Sequence, residues 1–342
     1  SSIHENILKK KKIKLITVSA KDSTKDINLE INGIFDLFLN PIFYLKKIKK
    51  ILLELKPDYI FVEAFQTVIS ELFILLCNNK KTKIIVFSHG VSIFPYSKKF
   101  KYYLRTLVYI FYLPILYLCI KKTDYFFTLD KNSYDHRHID THIAKKLKKK
   151  IVEYHNTSRF ENKKFIKKKK NIKKKKIILC IGYLNDIKNQ KNLIILAKKL
   201  INYDIEIRIV YSFYDRRYLL SIKEYIKKYN LKNIVLIQTK KTIIEREIIN
   251  SWLLVNVSLT EVMPLSLIEG NNLSKIFLSY EKGSISKIKG GILNKNIDQM
   301  IFNIQSLYNN NFFLKKFEII AKKSYQENLS NKKLSKILNL IK

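Results

Sequence analysis

The sequence predicts an α/β protein built from two doubly wound, Rossmann-like domains that face a cleft. Three observations carry that expectation. The chain has 342 residues, and one such domain takes ~100–200. Short β-branched runs alternate with amphipathic stretches along most of its length, which is the signature of βαβ units and a parallel sheet. The alternation breaks once, at "SRFENKKFIKKKKNIKKKK", where like charges repel and the stretch reads as a solvated linker.

The elements follow in order. Strands are expected at Lys14–Val18, Tyr59–Val62, Lys83–Phe87 and Tyr125–Leu129, with helices between them at Pro41–Leu55 and Val68–Cys77. A second set of strands is expected at Lys176–Ile181, Ile205–Tyr211, Asn233–Gln238, Leu253–Val257 and Ile276–Ser279. The first domain is thus residues 1–157, the linker 158–176, the second domain 177–320, and residues 321–342 add a terminal helix over Lys322–Ile341. In such folds ligands bind at the carboxyl ends of the strands, and two facing domains make the cleft the natural site.

Composition narrows the function classes. The chain is 47% hydrophobic, which excludes disorder over the whole length, and its 7 glycines exclude a collagen-like or glycine-linker protein. Cys77, Cys119 and Cys180 lie far apart in apolar runs. They read as small buried hydrophobes rather than a disulfide or zinc framework. The net charge of +38 suggests nucleic acid or an anionic membrane. However, Lys, Ile, Asn, Tyr and Phe are over-used together, as A/T-rich codons dictate, and Arg, the leading base reader, is sparse. Nucleic acid is therefore set aside as a partner, and attraction to an anionic membrane surface is kept. The start, Ser1-Ser2-Ile3-His4, has no charged segment followed by an apolar run, so no secretory signal is read. Leu107–Ile120 is apolar for 14 residues around Pro114. That is too short to span a bilayer and fits a core helix or a membrane-facing one.

Three segments could carry chemistry. In "VFSHGVS" a strand ends at His89 and Gly90. A His there can hydrogen-bond a sugar hydroxyl or a phosphate, or be an ordinary loop residue. In "CIGYLNDIKNQ" a strand ends at Gly182, and Lys188 stands at the expected start of a helix near Asn189. A cation beside helical amides suits a diphosphate. In "EVMPLSLIEG", Glu261 lies in the loop before a helix and Glu269 on it, with Pro264 fitting the first turn. The amides around Met263, Leu265 and Ser266 open that helix toward any anion, while the carboxylates can accept sugar and ribose hydroxyls. Two solvated glutamates beside an ordinary helix are the plainer alternative. The histidines of "DHRHIDTH" (His136, His138, His142) offer helical spacing only for His138 with His142, so no metal site is read there.

Taken together, these segments resemble the retaining nucleotide-sugar glycosyltransferases of the GT-B fold, the family called glycosyl transferases group 1. The family's E-G-F-P-L-x-x-x-E-A pattern appears as "EVMPLSLIEG", its G-R-L…K-N segment as "GYLNDIKNQ" and its strand-end H-G as "SHG". The likeness spans nearly the whole chain, including a terminal helix of the kind that crosses back onto the first domain. It implies a hexosyltransferase taking a nucleotide diphosphate sugar, UDP-linked in preference to GDP-linked. The acceptor would be a glycan or lipid-linked glycan in surface polysaccharide synthesis, at the cytoplasmic inner face of the cell membrane. No cofactor or metal is implied. Under the resemblance Lys188 and the amides of Leu265 and Ser266 hold the diphosphate, Glu261 the sugar and Glu269 the ribose. His89 contacts the sugar, with Gly90, Gly182 and Tyr183 lining the donor site. Two departures stand out. Tyr183 replaces the family's Arg, so either Lys188 acts alone or Arg159 or another basic side chain substitutes. "HENILKKKKIKLITV" matches the family's first helix and second strand, so its first strand and glycine-rich turn are missing. These departures make a non-catalytic partner subunit or truncated inactive homologue the alternative.

Overall fold

A computed structural model describes residues 16, 18–19, 26–29, 41–63, 65, 69–90, 100–131, 138–161, 175–239 and 241–339. The chain divides into two compact units, the first comprising Ser1–Tyr154 with Ile337–Lys342 and the second His155–Lys336.

The first unit holds β1 (Val18–Ser19), β2 (Ile27–Asn28), α1 (Pro41–Leu55), β3 (Tyr59–Val62), α2 (Ile69–Leu76), β4 (Lys83–Ser88), α3 (Phe100–Lys122), β5 (Tyr125–Thr128), α4 (Ile139–Lys146) and β6 (Lys150–Glu153). β1 pairs with β2, and the other strands form a parallel sheet in the order β3-β4-β5-β6. Pro at the first position suits α1, where no amide partner is lost. Its Tyr44, Ile48 and Ile51 recur at helical spacing and are buried. β4 is buried from Ile84 to Ser88, as a central parallel strand covered on both faces must be.

The apolar run 107–120 lies within α3 and is part core, part exposed. Leu116, Cys119 and Ile120 are fully buried in the core, whereas Tyr103, Leu107, Phe111, Ile115 and Leu118 are exposed and follow one another at steps of three or four. Among the described residues no helix is long and apolar enough to cross a membrane. Lys98 and Lys99, which precede this run in the sequence, lie outside the described residues, as does the side chain of Lys101.

The second unit holds β7 (Lys176–Ile181), α5 (Asn192–Lys199), β8 (Ile205–Tyr211), α6 (Arg216–Lys228), β9 (Ile234–Gln238), α7 (Lys241–Asn250), β10 (Leu253–Asn256), α8 (Leu265–Asn272), β11 (Phe277–Tyr280), a 3-10 turn (Gly283–Lys287), β12 (Gly291–Asn294), α9 (Ile297–Asn309), α10 (Asn311–Ser324), a π turn (Tyr325–Leu329) and α11 (Asn331–Leu338). Its parallel sheet runs β12-β11-β10-β7-β8-β9. The chain therefore builds outward from β7 in one direction and returns to build outward in the other. The order reverses between β7 and β10, and in open α/β sheets the crevice at that switch is where ligands bind. β10 and β11 are buried at every residue. α6 is capped by Asp215, which accepts the Tyr218 amide, and it turns Tyr218, Leu219 and Ile222 inward.

Three expectations need correcting. β6 and β12 were not anticipated. Both are partly exposed edge strands, so they carry a weaker apolar signal than the strands between them. The expected linker 158–176 is only partly solvated where it is described, with Arg159 and Lys175 exposed. Ser158 is 1% and Phe160 6% exposed, and residues 162–174 lie outside the described residues. The continuous helix expected over Lys322–Ile341 is broken into the end of α10, the π turn and α11. Tyr325 explains the break. It is buried, receives the Ser158 amide at 3.1 Å and donates to Glu161 at 2.5 Å, while Glu161 also accepts the Asn331 amide at 2.6 Å. Ser330 is extended between the pieces.

The three cysteines are free and buried. Burial pushes the thiols of Cys119 and Cys180 up to about 12, so neither offers a thiolate near neutral pH.

Candidate functional site

The sheet order of the second unit determines what meets at its switch point. β7 ends at Ile181, and Gly182 donates its amide to Val210 at 3.1 Å. The turns that follow are shaped by Asn185. Its side chain accepts the Lys188 amide at 3.0 Å, and its carbonyl accepts the Asn189 amide at 3.1 Å. Asn189 has a φ of 54°, a left-handed conformation that Asn tolerates and that interrupts a helix. α5 therefore starts at Asn192, not near Asn189 as expected, and Lys188 sits in the preceding turn. A Cβ on Gly182 would lie 3.9 Å from the Lys188 side chain.

The neighbouring strand β10 leads into the second half of the site. A backbone bond from Leu259 to Ile187 at 2.8 Å ties its loop to the Lys188 turn. Lys188 Nζ pairs with Glu261 Oε1, across 73 positions of sequence. The same oxygen accepts from Ser258 Oγ at 2.8 Å and Asn256 Nδ2 at 3.2 Å. Glu261 is thus held by one cation and two neutral donors. Sequence reasoning missed Asn256 and Ser258, although they stand at the end of a predicted strand and directly after it, where site residues of such folds concentrate.

Gly283 supports this loop from the far side. Its φ is +56°, and a Cβ there would lie 1.9 Å from the Glu261 carbonyl oxygen. The next amide, of Ser284, donates to Val262 at 2.9 Å. The Glu261 loop can therefore take this path only beside a residue without a side chain.

α8 begins just beyond, with Pro264 as its N-cap. Leu265 and Ser266 are its first two residues, and the opening amides of a helix have no carbonyl one turn earlier to bond. Glu269 lies one turn further and is 1% exposed. Arg159 holds it in a two-pronged pair, Nε to Oε1 at 2.5 Å and Nη2 to Oε2 at 3.0 Å. Burial pushes the Glu269 carboxyl above its usual range, and Arg159 opposes that shift. Glu269 in turn raises the already high Arg159 pKa. Arg159, one of the alternatives for a substitute cation at a diphosphate, pairs instead with Glu269. No sequence motif pointed to this pairing, which spans 110 positions.

Tyr183 supplies no charge. Its ring is 44% exposed and stacks on Phe213, with centroids 6.2 Å apart and planes 15° apart. Its carbonyl accepts from Gln190 at 2.8 Å.

His89 and Gly90 belong to the first unit, at the end of β4. His89 Nδ1 lies 3.3 Å from the hydroxyl of Tyr154, which donates to the Ser88 carbonyl at 3.1 Å. Ser88 Oγ bonds to the fully buried Asp140 and receives the Gly90 amide at 3.0 Å. Gly90 has a φ of 88°, which suits glycine. The structure therefore assembles Gly182, Lys188 and Glu261 on adjoining loops of the second unit and Leu265, Ser266 and Glu269 on α8, with Tyr183 at the margin. His89 and Gly90 sit in a separate network of the first. His136 lies outside the described residues. Among the described residues no group of three or more His, Cys, Asp or Glu side chains is arranged to hold a metal ion.

Residues 162–324 match the sequence model of glycosyl transferases group 1. The match takes in β7 through α10 and therefore the Lys188 turn, the Glu261 loop and α8. No curated protein matches the chain significantly. Among solved structures, a glycosyltransferase from Rickettsia africae is 17% identical with a TM-score of 0.64, covering 100% of this chain and 87% of that one. Sucrose-phosphate synthase from Thermosynechococcus elongatus is 11% identical with a TM-score of 0.68, covering 90% and 79%. Anabaena HepE, solved in complex with UDP and glucose, is 10% identical with a TM-score of 0.68, covering 98% and 88%. At these identities the likeness shows the fold, which is that of the GT-B glycosyltransferases.

Proposed function

We propose that the protein is a retaining hexosyltransferase that takes a nucleotide diphosphate sugar, UDP-linked in preference to GDP-linked. One observation carries this reading: Lys188 and Glu261 meet at the switch point between β7 and β10, beside the opening amides of α8. A leaving diphosphate needs a cation and oriented N–H groups, and a hexose needs a carboxylate for its hydroxyls. The family match over residues 162–324 and the UDP and glucose carried by HepE support the same assignment.

Retention needs no side-chain nucleophile when the acceptor hydroxyl and the departing diphosphate meet on one face of the sugar. The protein then works by positioning and charge stabilisation. Lys188 and the amides of Leu265 and Ser266 take the diphosphate charge, Glu261 orients the hexose and Glu269 accepts ribose hydroxyls. His89 contacts the sugar, with Gly90, Gly182 and Tyr183 beside the donor. The acceptor is a glycan or lipid-linked glycan of surface polysaccharide synthesis. The exposed apolar stripe of α3 and the charge of +38 support docking on the anionic inner face of the cell membrane. Co-sedimentation with anionic vesicles should fall as salt rises. Equal binding to neutral vesicles would contradict electrostatic docking.

The test of the donor assignment is a thermal-shift panel of nucleoside diphosphates, since a ligand stabilises in proportion to ln(1 + [L]/Kd). UDP should raise the melting temperature most, and release of UDP from a UDP-hexose should follow. A second reading, a non-catalytic partner subunit, is favoured by Tyr183, whose stacked ring stands where the family supplies a second cation for the diphosphate. Nucleotide binding without turnover, not rescued by Tyr183→Arg, would select it.

A further inference from the structure

We infer that Arg159 is a positioning residue for donor binding: it fixes the orientation of the Glu269 carboxylate and holds it ionised for the ribose hydroxyls. The inference rests on the assignment of Glu269 to the ribose and adds a residue to that site. The geometry is specific. Nε and Nη2 meet the two carboxylate oxygens at 2.5 and 3.0 Å, the paired arrangement only a guanidinium offers. It fixes the plane of the carboxylate as well as its place. Each oxygen keeps lone pairs beyond those it gives Arg159.

Arg159 is itself anchored. Ser158 receives Asn272 Nδ2 of α8 at 3.1 Å and donates its amide to Tyr325, while Asn156 Nδ2 donates to the Met263 carbonyl at 3.0 Å. The segment carrying Arg159 is thus strapped along the helix that carries Glu269. A surface arginine with a solvated partner would have no such frame.

The charges facing Glu269 set the sign of the pH effect. Burial raises its pKa most, Arg159 lowers it, and Glu245 of α7 adds a smaller upward push. Lys322 of α10 meets α8 at Asn272, and Tyr325 bonds Ser158 and Glu161. Neither is among the groups that shift Glu269. Replacing the Arg159 side chain removes its charge and its two hydrogen bonds and leaves only the backbone hydrogen bond of residue 159 against burial, so Glu269 protonates at a higher pH and gives up its acceptor character there.

The test is UDP binding by calorimetry from mildly acidic to alkaline pH, for the wild type, Arg159→Gln, Arg159→Lys and Glu269→Gln. Wild-type affinity should fall on acidification. Arg159→Gln should bind on the order of tenfold more weakly at neutral pH, with its acid fall moved to higher pH and affinity recovering in alkali. Arg159→Lys, which keeps the charge without the fork, should fall between the two and serves if the Gln variant does not fold. Glu269→Gln should bind weakly with no acid fall. An Arg159→Gln variant whose pH profile matches the wild type, or whose loss is equal at every pH, would overturn the positioning role while leaving the donor site intact. A wild type that binds no nucleoside diphosphate would overturn the donor reading, and this inference with it.

Discussion

The strand ends of the two units are built from different materials. In the second unit the edge is ionic: Lys188 with Glu261 and Arg159 with Glu269, set where the strand order reverses. In the first, the described strands β3 to β6 run in sequence order without reversal. His89 there meets the Tyr154 hydroxyl, and Tyr154 is fully buried with its pKa pushed well above the ordinary value by that burial. Tyr154 is therefore a neutral partner at any physiological pH. The contrast matches what each edge is proposed to handle. A diphosphate leaving group carries charge that must be offset. An acceptor or sugar hydroxyl needs direction and no net charge.

That comparison can be broken at several points. The largest effect is expected from Lys188→Ala. It removes the cation paired with Glu261, which is 8% exposed. Turnover should fall by ~10²–10³-fold, the usual cost of losing a donor aimed at developing charge. Initial rates of UDP release measure it, and a fully active variant would remove the diphosphate assignment. Gly283→Ala should come next. A side chain there collides with the Glu261 backbone at a left-handed φ, so the loop must move. Strain of ~1–3 kcal/mol should lower the melting temperature and turnover together. Unaltered turnover would show that the Glu261 loop tolerates displacement.

Tyr154→Phe should do least to the donor side. It removes the hydroxyl at His89 Nδ1 while leaving the ring that packs on Phe87 at 5.5 Å. Turnover should fall modestly, with UDP affinity unchanged. A matching loss of UDP affinity would mean that the neutral edge takes part in nucleotide binding, and the division drawn here would fail.

Sequence gave access to these two edges unequally. β3, β7 and β8 match their expected bounds, β3 and β7 as apolar runs and β8 through apolar alternation. Edge strands β6 and β12 were not legible, since half-solvated residues carry no such run. Glu261, Glu269 and Lys188 were legible through spacing within short segments. Their partners were not all so. Asn256 and Ser258 stand close by in sequence, but their bonds to Glu261 depend on the path of a loop. Arg159 sits in a lysine-dominated stretch that reads as solvent-exposed, and only the folded chain brings it to α8. The burial of Tyr325, which breaks the last helix, has the same long-range origin.

The most direct test of the account is calorimetric titration of UDP into the wild type and Glu269→Ala. The wild type should bind, and the variant should lose ~1–3 kcal/mol, as for a lost charge-assisted hydrogen bond, while remaining folded. Equal UDP affinity in the two would contradict the placement of the nucleotide on α8.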